Sequence, residues 1–594
     1  METLERESEA GRRSLRVLVG QLNPTVGDVT GNTERILEVV ERGRELAADM
    51  VVLPELAVAG YPPEDLLLRP SFLTANRRAV DDIAARSGSL TVVVGYARRD
   101  GTDLYNAAAV LHDGRLAAVH DKALLPNYSV FDEERYFRRG ACAVMLERSG
   151  ARVGVSVCEE IWAPEGPPRE QALAGAEVLV NISASPFSRG KGPSRERMLA
   201  TRAADNAAYV VFCNLVGGQD ELVFDGHSAV FGPTGELLAR GAAFEEDVFA
   251  VDLDLEAVFR ARLAGPRRRG AGRPAPAEGR VRAVALPDVP PVARAPLAAR
   301  PLREPLDDLA EVYAALVLGT RDYARKNGFR AAVLGLSGGI DSALAAAVAV
   351  DALGADHVLG VAMPARYSSA SSLTDAQDLA RLVGLQLLVI PVDAPFQAFL
   401  DLLAPHFAGR PQDVTEENLQ PRVRGMVLMA LSNKLGHLVL TTGNKSETGV
   451  GYVTLYGDSA GGFAPLKDVP KTLVTALARW RNERPDGPRI PEHSITRPPS
   501  AELRPNQLDA DSLPPYDVLD PLLAAYVEEE RSLDDIVALG YEREMVERVA
   551  RMVDAAEYKR RQSPPGIRIS GRAFGRDRRM PITSAWWRRP AQDR

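Results

Sequence analysis

The sequence predicts an α/β protein of two domains, a sheet-rich layered fold followed by a doubly wound parallel sheet. Three observations carry this. The chain has 594 residues, about four times a typical ~150-residue domain. Short β-rich runs alternate with helical patterns in both halves. Between the halves the composition shifts to Pro, Gly, Ala and Arg.

From about Leu15 to Leu255 the runs include RVLVGQLN, MVVLPEL, LTVVVGY, NAAAVLHD, RVGVSVCEE, EVLVNISAS, AYVVFCNLV and GHSAVFG. Several alternate apolar and polar residues; others are continuously apolar, as in strands buried on both faces. NTERILEVVERGRELAA and REQALAGA carry the helical period, so a layered α/β domain is expected. From about Gly265 to Pro305, GPRRRGAGRPAPAEGR and ALPDVPPVARAPLAARP show no sustained period, which reads as an interdomain linker over residues 261–300. Its Arg cluster reads as a solvated basic loop on an acidic chain. After Leu306 a helix (LDDLAEVYAALVLGTRDYARKN) leads to a strand (AAVLGLS), a glycine turn and an Ala-rich helix (SALAAAVAVDALG). HVLGVAM, LQLLVIPV and HLVLTT are further strands, completing a doubly wound pattern.

Lys and Arg total 72 against 80 Asp and Glu, a net charge of −8. That argues against nucleic-acid binding by bulk charge. Three cysteines make neither a disulfide scaffold nor a CxxC zinc pair. The opening METLERESEAGRRS lacks a signal-peptide apolar region, and no run of about 18 apolar residues exists. The expectation is a soluble, cytoplasmic protein with no nucleic-acid or membrane partner. Only eight of the 72 basic residues are lysines: Lys122, Lys191, Lys326, Lys434, Lys445, Lys467, Lys471 and Lys559. In so Arg-rich a chain, a lysine marks a place that needs a compact ammonium. Lys326 and Lys434 are set aside as chance survivors.

Three chemistry-bearing residues sit at strand ends in the front half. MVVLPE places Glu55 there, AAVHDK places Lys122, and RVGVSVC places Cys158. Cys142 and Cys213 lie among apolar neighbours and read as core. A carboxylate can take a thiol proton, and the thiolate is a strong nucleophile. An ammonium and the backbone N–H after the nucleophile can stabilise the oxyanion of a tetrahedral intermediate. Nothing in the sequence pairs His120 with Cys158.

The words around these residues are specific. PELAVAGYPPEDLL, HDKALLPNYSVFDEERYF, VSVCEEIW and NISASPFSRGKGPSR resemble the glutaminase domain of the nitrilase superfamily over residues 14–260. The resemblance implies an αββα sandwich, Glu55 as general base, Lys122 as transition-state stabiliser and Cys158 as nucleophile. Glutamine would be hydrolysed through a thioester to glutamate and ammonia. By motif position, Tyr128, Ser185 and Lys191 would contact glutamine, with Tyr61, Phe131, Glu133 and Trp162 lining the pocket.

In the second half, Gly335-Leu336-Ser337-Gly338-Gly339-Ile340-Asp341-Ser342 joins a strand to a helix. Such a turn brings backbone close to phosphate and offers unpaired N–H groups. It is neither GxxxxGK[ST] nor GxGxxG. The word SGGIDS resembles the pyrophosphate loop of the ATP-pyrophosphatase family, which implies cleavage of ATP between its α and β phosphates. A pyrophosphate leaving group calls for Mg²⁺ and cations. TTGNKSETGVGYVTLYGDSAGGFAPLKDVPKTLV follows another strand. Asp341 and Glu447 are the Mg²⁺ candidates, and Thr442, Asp458 and Lys471 are candidate ATP contacts.

With ENLQPRVRGMVLMALSNK and EYKRRQSPPGIRIS, residues 301–594 resemble the NAD⁺ synthetase domain. That implies adenylation of deamido-NAD⁺ on its nicotinate carboxylate, then attack by ammonia. Asn418, Glu447 and Lys559 match positions that contact the dinucleotide, Arg422 and Arg424 are candidates for its anionic groups, and Met363 and Ser368 would border adenine. The chain as a whole resembles the bacterial glutamine-dependent NAD⁺ synthetases, which implies an ammonia tunnel and a homo-oligomer, by resemblance an octamer. Two other classes compete: a free-standing amidase, which would release glutamate without regard to deamido-NAD⁺, and a nucleotide sensor, which would lack Cys158 or the phosphate loop.

Overall fold

The computed structural model describes residues 13–264, 279–289 and 294–586. Contacts divide it into a first unit, running to Gln219 and from Phe224 to Leu306, and a second of Asp220–Val223 and the chain from Asp307 on.

The first unit is built on two sheets. One has the order β14-β1-β2-β3-β4-β5, with β1 Ser14–Gln21, β2 Met50–Val52, β3 Thr91–Asp100, β4 Asp103–His112, β5 Arg115–Asp121 and β14 Asp247–Asp254. The other has the order β13-β12-β9-β8-β7-β6-β15, with β6 Ala143–Arg148, β7 Ala151–Val157, β8 Val178–Ser183, β9 Tyr209–Asn214, β12 Ala229–Phe231, β13 Leu237–Arg240 and β15 Val281–Ala285. A short ladder pairs β10 (Val216–Gln219) with β11 (Leu222–Asp225).

Successive strand residues point to opposite faces. Val17, Val19, Val52, Val93 and Val110 of one sheet therefore share a core with Val155, Val180, Val211 and Val230 of the other. The alternate residues Leu18, Val51, Val92 and Val94 pack outward on Ile36, Val39, Val80 and Ile83 of the helices Val29–Glu45 and Pro70–Ala85. On the far side, Leu179, Val210 and Phe212 meet Leu199 and Ala203 of the helix Lys191–Asn206. The layers run helix, sheet, sheet, helix, as the resemblance implied. Burial on both faces is why these strands read as continuous apolar runs.

The segment read as a linker is partly structured. Residues 281–285 form β15, which pairs in parallel with β6 at the edge of the sheet. The four apolar residues of VRAVA suffice for an edge strand but make too short a pattern to stand out from the Ala- and Arg-rich surroundings. Beyond it, Arg294 pairs with Asp49 at 2.6 Å, and Arg300 pairs with Asp247. These two cations are paired with carboxylates of the first unit, Arg300 while still exposed. Residues 265–278, with most of the Arg cluster, and the polar opening 1–12 lie outside the described residues.

The second unit holds a four-stranded parallel sheet, order β18-β17-β16-β19, made of β16 Ala332–Gly335, β17 Val358–Ala362, β18 Gln386–Val389 and β19 Leu438–Leu440. The chain starts in β16, winds outward through β17 and β18, then returns to the other side of β16. The order thus reverses between β16 and β19, the place where open α/β sheets bind ligands. The SGGIDS loop follows β16 and the TTGNKSE loop follows β19, so both open at that crevice.

Candidate active sites

In the first unit β2 and β3 are parallel, while β3–β4 and β4–β5 are antiparallel. Two reversals leave β5 running with β2, so Glu55, just past β2, and Lys122, just past β5, reach the same sheet edge. Cys158 follows β7 of the facing sheet. Glu55 Oε1 accepts from Lys122 Nζ and from Asn106 Nδ2, each at 2.7 Å. Glu55 Oε2 accepts the Ala184 backbone N–H at 2.7 Å. Lys122 Nζ also donates to Glu133 Oε1 at 2.8 Å, which accepts Tyr61 OH at 3.0 Å. Glu55 and Lys122 are fully buried, and Cys158 and Glu133 nearly so.

Burial alone would weaken the Lys122 ammonium, but Glu133 and Glu55 outweigh it and hold its pKa above the usual lysine range. Burial pushes the Glu133 carboxyl up to about 7 against the pull of Lys122. Burial, then the Glu55 charge, push the Cys158 thiol well above its usual range, with Lys122 opposing. Cys158 therefore rests as a neutral thiol, set in the field of a carboxylate that can accept its proton. Cys158 has φ +44°, at a sharp turn between β7 and the short helix Glu159–Trp162. A non-glycine residue there costs about 1–3 kcal/mol and persists only where its surroundings hold it. Such an elbow presents a nucleophile above a sheet.

The other expected glutamine contacts sit in pairs. The exposed Tyr128 donates its OH to Glu159, at 2.9 Å to Oε2, and its ring meets Phe131 edge-on. Lys191 Nζ donates to Pro186 O at 2.9 Å and lies 5.6 Å from the Trp162 ring centre. Ser185 is buried, and its backbone N–H donates to Asn214 Oδ1 at 2.9 Å. His120 pairs with Glu160 at 2.8 Å. Cys213 is core, whereas Cys142 is only half-buried because it lies in the turn before β6. The sequence reading missed Asn106, the Ala184 N–H and Glu160. Of these, Glu160 had a signal, lying two places after Cys158 in CEEIW.

In the second unit the loop after β16 is pinned by serines. Ser342 Oγ donates to Gly339 O at 2.9 Å and lies 3.2 Å from Ser337 Oγ. The helix Ile340–Leu353 begins without a side-chain cap, which leaves N–H groups for a ligand. Gly338 has φ +77°, and a Cβ there would lie 2.4 Å from Ser372 O, so only glycine fits. Asp341 pairs with Lys471 Nζ and accepts from Asn444 Nδ2 at 2.8 Å. Lys471 Nζ lies 3.5 Å from Glu447 Oε1. Asn444 and Glu447 form a reciprocal cap on the helix Lys445–Val450, which fixes Glu447 over the site. Burial, then Asp341, push the Glu447 carboxyl up to about 8.

Asp341, Glu447 and Lys471 line one cavity of about 430 Å³, together with Gly335, Leu336, Ser337, Gly339, Ile340, Ser342, Thr442, Asp458, Asn418, Arg424, Lys559, Met363 and Ser368. Asp458 accepts the Thr454 N–H at 2.7 Å, and Thr454 Oγ1 donates to Asn418 Oδ1 at 2.7 Å. Lys559 Nζ donates to Gly451 O and Val453 O, and burial lowers its pKa. Gly338 does not line the cavity; it packs against Ser372. Nor does Arg422, which is exposed and donates to Leu455 O at 3.2 Å. On a helix of 3.6 residues per turn, Arg422 and Arg424 point nearly opposite ways, so only one can face the cavity. Arg497, Glu502 and Asp509 line it too and were not foreseen; no periodicity or glycine turn marks their segment. Four of the eight lysines, Lys122, Lys445, Lys467 and Lys471, prove to be buried and ion-paired.

The chain matches the carbon-nitrogen hydrolase family over residues 16–262 and the NAD synthase family over residues 312–563. It is 48% identical to a glutamine-dependent NAD(+) synthetase of Aquifex aeolicus, covering 97% of this chain and all of that one. It is 46% identical to one of Thermotoga maritima, covering 96% and 99%. A solved glutamine-dependent NAD⁺ synthetase of Acinetobacter baumannii, in complex with adenosine diphosphate, is 40% identical with a TM-score of 0.73, covering 97% and 99%. With near-complete coverage on both sides and both halves matched, the chain belongs to the glutamine-dependent NAD⁺ synthetase family.

Proposed function

We propose that this protein makes NAD⁺ from deamido-NAD⁺ at the expense of ATP, taking nitrogen from glutamine and releasing AMP, pyrophosphate and glutamate, the last step of NAD⁺ biosynthesis. The observation that carries this is the presence in one chain of the Glu55–Lys122–Cys158 cluster and of the Asp341–Lys471–Glu447 cluster beneath an SGGIDS loop.

In the first site, Glu55 accepts the Cys158 Sγ proton as sulfur bonds to the side-chain carbonyl carbon of glutamine. The Lys122 ammonium and the N–H after Cys158 take the developing oxyanion charge. Glu55 returns the proton to the departing nitrogen, so ammonia leaves and a thioester stays on Cys158. Water then adds with its proton passing to Glu55, glutamate departs, and the thiol regains its proton. Tyr61, Tyr128, Ser185 and Lys191 are proposed to hold the substrate, and Glu133 to share the Lys122 proton.

In the second site, an oxygen of the nicotinate carboxylate attacks the α-phosphorus of ATP and pyrophosphate leaves from the same centre. Ammonia then attacks the acyl carbon, and AMP departs with that carboxylate oxygen. The loop 335–342 and Lys471 are proposed to take the pyrophosphate, Thr442 and Asp458 other parts of ATP, and Asn418, Arg424 and Lys559 the dinucleotide. The adenosine diphosphate in the Acinetobacter relative favours an adenine nucleotide here. Two half-buried carboxyl groups, Asp341 and Glu447, face one ammonium and offer hard oxygen donors, a set that suits Mg²⁺. Asp341 and Glu447 would hold it, and it would supply charge neutralisation for the leaving pyrophosphate. The reading includes a cytoplasmic homo-oligomer, taken from the family resemblance. No helix among the described residues is long and apolar enough to cross a membrane.

One assay tests the reading. Deamido-NAD⁺, Mg-ATP and glutamine, incubated together with this chain, yield NAD⁺, AMP and glutamate in equal amounts. ADP and phosphate in place of AMP and pyrophosphate would refute the adenylation route.

A further inference from the structure

Glu160 plays no part in the chemistry above, yet it is fully buried and joins the two halves of the glutaminase cluster. Its Oε1 accepts the backbone N–H of Ala123, the residue after Lys122, at 2.6 Å. Its Oε2 accepts the backbone N–H of Val157, the residue before Cys158, at 2.6 Å, and lies 2.8 Å from His120 Nε2. A carboxylate only accepts, so His120 carries its proton on Nε2, and the buried Nδ1 has no hydrogen-bond partner. Lys122 belongs to one sheet and Cys158 to the other, and neither β5 nor β7 bonds to the other's sheet. Among the described residues, Glu160 is thus a side chain that ties both strand ends at the level of the reacting groups.

We propose that Glu160 is a positioning residue for glutamine hydrolysis: a carboxylate stitch that fixes the Cys158 elbow against the Lys122 ammonium. The inference rests on the Cys158 nucleophile proposed above. Cys158 sits in a backbone conformation that needs outside support, and the bond to Val157 N–H holds the chain just ahead of it. The bond to Ala123 N–H holds the chain just after Lys122. Loosening either lets the sulfur and the ammonium drift apart, and misplacements of about 1 Å can cost on the order of 100-fold in rate. Both backbone donors need an acceptor, and an amide offers only one oxygen; its NH₂ would face an N–H.

The test uses the full chain with glutamine and, separately, ammonium chloride as nitrogen source. Glu160→Gln should lower kcat for glutamine hydrolysis about 10- to 100-fold while KM for glutamine stays within about twofold and ammonium-driven synthesis is unchanged. His120→Phe, which leaves both backbone bonds intact, should keep kcat within about threefold of the parent. Where Glu160→Gln does not fold, Glu160→Asp, one methylene too short to span both donors, should show the same fall in kcat at unchanged KM. Parental kcat in the glutamate variants overturns the proposal. So does a His120→Phe loss as large as that of Glu160→Gln, which would place the effect in the imidazole. A fall in which KM rises with kcat would assign Glu160 to substrate binding instead. If Cys158→Ala itself retains glutamine hydrolysis, the underlying reading fails rather than the stitch.

Discussion

The Lys122 ammonium lies 2.7 Å from the Glu55 carboxylate with both groups sealed from solvent. Glu133, 2.8 Å from the same ammonium, pairs with it as well, so a fully buried primary ammonium is held between two carboxyl groups. A guanidinium is broader and planar and cannot take this place. Lys122→Arg should therefore lower glutamate release by about 100- to 1,000-fold, the scale for losing an oxyanion-stabilising group. Ammonium-driven synthesis should persist. Near-normal glutamate release from this variant would refute the size argument.

Glu133 gives a pH prediction. Burial lifts its carboxyl to about 7 from an ordinary 4.5. Between those values the folded chain holds a proton that the unfolded chain has lost. Its contribution to stability is therefore present below about 4.5 and is lost as pH rises toward 7, by at most about 1.4 kcal/mol per pH unit. Glu133→Gln has no such proton. Denaturation of the two proteins at pH 5 and pH 8 should show the parent's advantage over the variant shrinking at the higher pH; a growing advantage would contradict the buried-carboxyl account.

Gly338 is a steric prediction. Alanine at φ +77° costs about 1–2 kcal/mol in backbone alone, and its Cβ would strike Ser372 O. Gly338→Ala should abolish synthesis from both nitrogen sources while the glutaminase remains active. A variant with parental synthesis would show that the loop need not keep this shape.

Asp341 joins the SGGIDS loop to Lys471 and Asn444. Asp341→Asn leaves Lys471 with Glu447 alone and removes a charge proposed to hold Mg²⁺. It should reduce AMP formation by at least about 100-fold with either nitrogen source. AMP formation at the parental rate would remove Asp341 from the site.

Much of this was legible in the sequence where position on a strand fixes position in space. Every β-rich run named in the front half forms a strand, and Glu55, Lys122 and Cys158 each follow one directly or within a few residues. SGGIDS and TTGNKSE follow adjacent strands of a parallel sheet, so their meeting follows from topology. What was not legible depends on the packing of distant segments. The Ala184 N–H reaches Glu55 across 129 positions, and Glu160 ties strands of two sheets. Arg497, Glu502 and Asp509 come from a stretch with no period. Strand β15 hides among Ala and Arg because an edge strand needs little apolar character. Arg422 lies off the cavity for a local reason, the turn of its helix.

The central claim is that two separate sites work in series, and Cys158→Ala tests it most directly. NAD⁺ formation is measured with this variant under deamido-NAD⁺ and Mg-ATP, once with glutamine and once with ammonium chloride. Synthesis from glutamine should vanish while synthesis from ammonium proceeds at the parental rate. Loss of both, or survival of the glutamine reaction, would contradict the division of the chemistry between the two units.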